Sequence, residues 1–321
     1  PLTVVRRKRE SGYYKRQGRR FVEAKGIIVV DKPAGFTSFD VIAKLRGILG
    51  IKKLGHSGTL DPMATGVLPV FAGSATKAIA YGTADIKEYI AGFQLGMDTD
   101  TQDRTGAAMG FSARRVSEAE LLGALGAFRG ESRQVPPMYS ALKVDGKRLY
   151  DLARAGKVVE RPARRITVFA LQLLAFDPIR QTGTIRVLCS KGTYIRTLLR
   201  DIGLRLGAFA TMTSLRRIKS GDFSIGQAKT LEEIEKMAKT GTVSRAFLPV
   251  DTVLSQFPKV HISAAGKERA DKGAFIWQEQ TDWMPAEGTV ARIYFDDAFV
   301  MLGKAQRLEI GQPAIFVHKK F

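Results

Sequence analysis

Cysteine is nearly missing from this chain: Cys189 is the one thiol among 321 residues. A lone thiol excludes an internal disulfide framework and fits a reducing compartment, so the cytoplasm is the expected location. Histidine is scarce as well. His56, His261 and His318 are scattered and, with a single cysteine, offer no spacing that closes a zinc site, so no metal is expected. Acidic side chains are in short supply, with 31 Asp plus Glu against 51 Lys plus Arg and a formal net charge of +20. Such a surplus is extreme for an enzyme of small metabolites and points to a polyanion, nucleic acid first. A membrane surface is the rival partner. No apolar run approaches the roughly 18 residues of a spanning helix, however, and no hydrophobic signal core is found. Neither internal repeats nor low-complexity tracts are present.

What is present is unevenly distributed. Residues 1–20 carry eight basic residues and one acid, interleaved with Tyr13 and Tyr14 and without apolar periodicity. Residues 1–22 are expected to form a flexible basic arm, either a solvated tail or a segment that touches RNA. From Gly26 the texture changes. GIIVVDKP predicts a buried strand halted by Pro33, and Ser38 is the expected N-cap of a helix through FDVIAKLRGILG. GVLPVFAG and KEYIAGFQLG predict strands, the second with Tyr89, Ala91, Phe93 and Leu95 on one face, and SATKAIAYG predicts a short helix. Ser117 and Glu120 have the spacing of a capping box.

Further on, RRITVFALQLLAF, GTIRVLCS and FATMTSLRRIKSG read as strands, whereas KRLYDLARAG and YIRTLLRDIGLRLG read as helices. Without regular βαβ alternation, the expected class is α+β around a mixed, largely antiparallel sheet. The helix TLEEIEKMAKTG closes a domain over 23–250. KVHIS, TVARIYF and AFVMLGKA then predict a small β-rich domain over 251–321.

One loop stands apart. GHSGTLDPMATGVLP, residues 55–69, sets Asp61 among glycines, small hydroxyls and prolines between strongly apolar elements. Asp followed by Pro can simply make a tight turn. A long loop between rigid elements can also hold a carboxylate ready as a nucleophile or base. MDTDTQDRTG offers Asp98, Asp100 and Asp103 at spacings like those of a calcium loop, but Asp103 falls where the required glycine belongs and no closing glutamate follows.

GHSGTLDPMATGVLPV resembles the catalytic motif of the TruB family of tRNA pseudouridine synthases. GIIVVDKPAGFTSFDVI, KEYIAGFQLGMDTDTQDRTG, VPPMYSALKVDGKRLYDLARAG, CSKGTYIRTLLRDIG and TSLRRIKSG resemble its further motifs, in order, over roughly residues 26–225. The C-terminal GKERADKGAFI and ARIYFDDAFVMLG are similar to an RNA-binding PUA domain. The resemblance implies a pseudouridine synthase fold with a PUA-like C-terminal domain, and isomerisation of the T-loop uridine at tRNA position 55 by base flipping. It also implies no cofactor, because the reaction is redox-neutral and needs no group donor. Tested against it is a non-catalytic RNA-binding or tRNA-folding protein on the same scaffold. The MYSALKVDGKRLYDLARAG segment resembles the stand-alone bacterial branch, so no guide RNA is expected, and a monomer is implied.

Residue by residue, the resemblance makes Asp61 the essential carboxylate and Arg196 its partner. On pattern alone, Arg196 is a surface arginine beside the stripe Ile195, Leu198, Leu199, Ile202 and Leu206. Tyr89, otherwise a core residue, becomes the ring stacked on the extruded uracil, with a hydroxyl suited to handling the C5 proton. Leu215 packs on the same base and Tyr194 lines the pocket. His56 is implied to wedge into the RNA where the base has left, and Lys77 to meet the RNA backbone. Lys32 is expected to be structural.

Overall fold

The structure is a computed structural model that describes residues 13–16, 19–22, 25–82, 86–144, 146–309 and 311–321. Most of the arm expected over 1–22 lies outside the described residues. Within it, Tyr13–Arg16 and Arg19–Val22 pair as two antiparallel strands.

A nine-stranded mixed sheet forms the frame. Its main path uses β1 (Gly26–Lys32), β2 (Thr65–Ala72), β3 (Ile86–Leu95), β4 (Gly130–Gln134), β5 (Arg164–Asp177), β6 (Thr182–Ser190) and β7 (Ala210–Ser220). The spatial order is β1-β2-β7-β3-β6-β5-β4, with Leu54–His56 added beside β2 and Phe223–Ser224 beside β7. Every pairing along the path is antiparallel except β2 with β7. The period-2 reading of β3 holds, with Tyr89, Ala91, Phe93 and Leu95 all buried.

Helices cover the sheet where the apolar stripes demand it. α1 (Ser38–Leu49) buries Val41, Ile42, Leu45 and Leu49 against β1, β2 and α4 (Leu231–Lys239). α2 (Glu118–Gly126) and α3 (Ile195–Arg205) close the larger core cluster over β3, β6 and β7. The Ser117–Glu120 capping box forms as expected. Ser38 is not a cap: Thr37 takes that place, its hydroxyl accepting from the Asp40 amide at 3.1 Å while the Asp40 carboxylate accepts from the Thr37 amide at 2.8 Å. An acidic residue three places on lets Thr37 complete a reciprocal box, which Ser38 cannot do. SATKAIAYG forms a 3-10 helix, Gly73–Ala80.

Beyond α4, a five-stranded sheet runs in the order β8-β10-β11-β12-β9, from β8 (Lys259–His261), β9 (Ile276–Trp277), β10 (Val290–Phe295), β11 (Ala298–Arg307) and β12 (Pro313–Lys320). Asp296 and Asp297 join β10 to β11 with φ of 44° and 60°, the left-handed pair that a two-residue hairpin turn requires. The sheet has its own core around Val260, Ile276, Ile293 and Met301. Leu302, Phe299 and Phe321 also pack with Val67, Phe71 and Ala75, so apolar contact is continuous between the two sheets. Among the described residues, no helix is long and apolar enough to cross a membrane.

Candidate active site

The loop carrying Asp61 is held by its backbone. Ser38, the first residue of α1, accepts from the Leu60 amide at 3.0 Å and donates to the Leu60 carbonyl at 3.4 Å. The fully buried Lys32, at the end of β1, donates to the carbonyls of Pro33, Phe36 and Pro62. From β7, Arg217 donates to Gly58 and Thr59. Gly35 donates its amide to Pro62, and Ala64 donates back to Asp61 itself. Three separate elements therefore fix a segment that has no regular structure of its own. Lys32 is structural, as expected. Burial pulls its ammonium down to about pKa 8, against the favourable charges of Asp61 and Asp40.

The Asp61 carboxylate, 36% exposed, meets a guanidinium that is only 4% exposed: Arg196 Nε lies 2.9 Å from Asp61 Oδ2. The other donors of Arg196 are taken up by the Thr101 carbonyl at 2.8 Å and the Tyr139 carbonyl at 2.8 Å, and Asp103 Oδ2 lies 3.8 Å away. Arg196 is thus not the surface arginine that the apolar stripe alone suggests. The stripe is buried, but the turn after β3 covers a second side of α3. Arg200, one helical turn on, pairs bidentately with Asp98 at 2.8 to 3.1 Å, and Thr197 donates to the Gln102 side chain at 2.7 Å. Asp98, Asp100 and Asp103 are accounted for by arginine, hydroxyl and amide partners.

At its N-terminal end, α3 is fixed by Gln134. Its side-chain amide exchanges two hydrogen bonds with the Tyr194 backbone, at 2.8 and 3.1 Å. Tyr194 sits at the N-cap, and burial raises its hydroxyl above the usual tyrosine value. Tyr89 and Leu215 lie on neighbouring strands β3 and β7, in the same core cluster as Leu60 and Ala64 of the loop. Burial pushes the Tyr89 hydroxyl up to about 12, with the charge of Arg217 opposing the rise. At neutral pH this hydroxyl keeps its proton.

His56 ends the short strand beside β2, and its buried Nδ1 has no hydrogen-bond partner among the described residues. Burial and the nearby Arg217 charge lower its pKa, so the ring is neutral at neutral pH. Lys77 stands apart from this group. Its ammonium donates to the Lys320 carbonyl on β12 at 2.9 Å, which ties the 3-10 helix to the C-terminal sheet. Sequence reasoning missed Asp103, Gln134 and Arg217. A usable signal existed for the first, since acids at 98 and 103 answer arginines at 196 and 200, one turn apart on α3.

Over 92% of its length the chain matches the solved structure titled "Crystal Structure of a Cbf5-Nop10-Gar1 Complex", covering 84% of that chain, with TM-score 0.67 and 29% identity. An H/ACA RNP bound to a substrate RNA containing 2'-deoxyuridine matches with the same score at 27% identity, covering 84% of that chain and 92% of this one. Together with the family models below, these matches make the chain a pseudouridine synthase in fold.

Within that class the family is also shown. The model for the TruB family pseudouridylate synthase N-terminal domain matches residues 46–195, and that for the tRNA pseudouridylate synthase B C-terminal domain matches 196–255. A tRNA pseudouridine synthase B of Syntrophomonas wolfei is 48% identical over 75% of this chain and 81% of its own length. One from Clostridium novyi is 44% identical over 87% of this chain and 94% of its own. The chain belongs to the TruB family and is an enzyme of the isomerase class.

Proposed function

We propose that this enzyme isomerises the T-loop uridine at tRNA position 55, extruding it into a pocket of Asp61, Tyr89, Arg196 and Leu215. The names of the curated relatives support tRNA as the substrate. The Asp61–Arg196 pair is the observation that carries the chemistry. A half-exposed carboxylate on a fixed loop, oriented by a buried guanidinium, can reach a ligand without reorganising.

The reaction breaks the bond between ribose C1′ and uracil N1 and joins C1′ to C5. The hydrogen on C5 leaves as a proton and N1 ends protonated, so the conversion needs no oxidant, reductant or group donor. Asp61 acts on the ribose or on the base, and on either route the Arg196 guanidinium fixes the direction in which the carboxylate points. Tyr89 stacks on the flipped base, with Leu215 packing on the same base. With a pKa near 12, its hydroxyl relays the C5 proton rather than standing as a free base. Tyr194 lines the pocket beside Arg196. His56, neutral and with a free ring nitrogen, suits a wedge that replaces the departed base in the RNA stack. Lys77 spends one donor on Lys320 and has two more for a phosphate. The C-terminal sheet acts as a PUA-like RNA-binding module. The enzyme works in the cytoplasm as a monomer, without a guide RNA.

The test uses tRNA transcripts carrying tritium at uracil C5. Wild-type enzyme alone is expected to release one equivalent of label per tRNA to water, and a transcript with cytidine at position 55 is expected to release none. Tight binding without release would instead support a tRNA-folding protein, and release from the cytidine-55 transcript would move the target elsewhere.

A further inference from the structure

Arg217 is among the largest side chains wholly removed from solvent, at 0% exposure. Its Nε donates to the Val67 carbonyl at 2.7 Å, one terminal nitrogen to Gly58 at 2.9 Å and the other to Thr59 at 3.5 Å. Each of these acceptors is a neutral backbone carbonyl. Burying a cation on such partners costs more than filling the space with an apolar side chain, so packing alone does not explain it. Its position does. Gly58 and Thr59 lie three and two residues before Asp61, Val67 lies six after it, and Arg217 pairs across the sheet with Tyr89. The main chain is drawn equally close: a Cβ at Gly66 would collide with the Arg217 carbonyl, and Gly66 takes φ +102°, a conformation that favours glycine.

We infer that Arg217 is a positioning residue for the isomerisation, fixing both ends of the Asp61 loop against the strand that carries Tyr89. The inference rests on the reading of Asp61 as the essential acid. A planar fork is needed because its donors must reach adjacent peptides and a third carbonyl on another strand at once, and a lysine ammonium, a point charge on a flexible stem, cannot hold that fixed geometry. The charge also acts on its neighbours. It opposes the protonation of Lys32 and His56, and it opposes the rise of Tyr89. Arg196 aims the carboxylate; Arg217 holds the backbone that carries it.

Arg217→Lys and Arg217→Met, with Asp61→Asn as control, are compared for single-turnover tritium release at saturating tRNA, tRNA Kd, thermal melting and amide hydrogen exchange. Both Arg217 variants are expected to lose about 100-fold or more in rate, the scale of a misplacement near 1 Å. Kd is expected to stay within about 3-fold, since phosphate contacts elsewhere dominate binding. Exchange is expected to quicken over residues 57–64 while α3 stays protected. A rate for Arg217→Lys within about 3-fold of wild type, with unchanged loop exchange, overturns the inference. So does loss of cooperative melting with exchange raised evenly throughout, which would make Arg217 a general stabiliser. Normal turnover by Asp61→Asn would instead sink the reading of the acid itself.

Discussion

Asp61 and Arg196 are 135 positions apart in sequence and 2.9 Å apart in space, and the side chains around them are set by what each must neutralise. Lys32 is the clearest example, a buried ammonium that joins the turn at Pro33 and Phe36 to the acid loop at Pro62. Its folded pKa near 8 lies below the ordinary 10.5, so the folded protein releases that proton while the unfolded chain still holds it. Stability should therefore rise as pH climbs from 8 towards 10, by on the order of 2 kcal/mol. Above pH 10 the raised Tyr89 works in the opposite direction, its contribution being lost as pH passes through about 12. Urea melts at pH 7, 8, 9 and 10 check this: the rise should be present in wild type and absent in Lys32→Met. The fixed loop of Asp61 and the bracing place of Lys32 were legible because short-range motifs carry them. The burial of Arg196 was not, since the turn that covers it lies 95 residues earlier. Arg217 gave no signal at all, because alternation along β7 does not say that an arginine will face inward.

Elements explain why the site is rigid. The start of α1 does two jobs with adjacent hydroxyls: Thr37 caps the helix, and Ser38 reaches across to both backbone groups of Leu60. Thr37→Ala should cost about 1 kcal/mol, as lost caps do, and leave turnover near wild type. Ser38→Ala strands the buried Leu60 amide, at a cost of roughly 1–3 kcal/mol, and should slow turnover as the loop loosens. Denaturant melts and single-turnover rates on both variants check the contrast; slowed turnover in Thr37→Ala alone would reverse the assignment. Hydrophobic periodicity made most elements readable, the face of β3 and the stripe of α3 above all. It misplaced the cap by one residue because Ser and Thr are adjacent, and only the reciprocal bond with Asp40 separates them. The strand order, with β7 between β2 and β3, is a long-range pairing that no local pattern encodes.

At the scale of the whole molecule, a chain with net charge +20 sets the Asp61 carboxylate on a cationic scaffold. The C-terminal sheet extends that scaffold, tied on by the apolar contacts of Phe299, Leu302 and Phe321 and by the bond from Lys77 to Lys320. Binding and chemistry should then separate cleanly. Under the proposed function, phosphate contacts spread over the basic surface dominate affinity, whereas bond breaking depends on the Asp61 carboxylate. The most direct measurement is tritium release from C5-labelled tRNA by Asp61→Asn, alongside its tRNA affinity at the same salt concentration. The expected result is no detectable release with a Kd within about 3-fold of wild type; release at the wild-type rate would contradict the central claim.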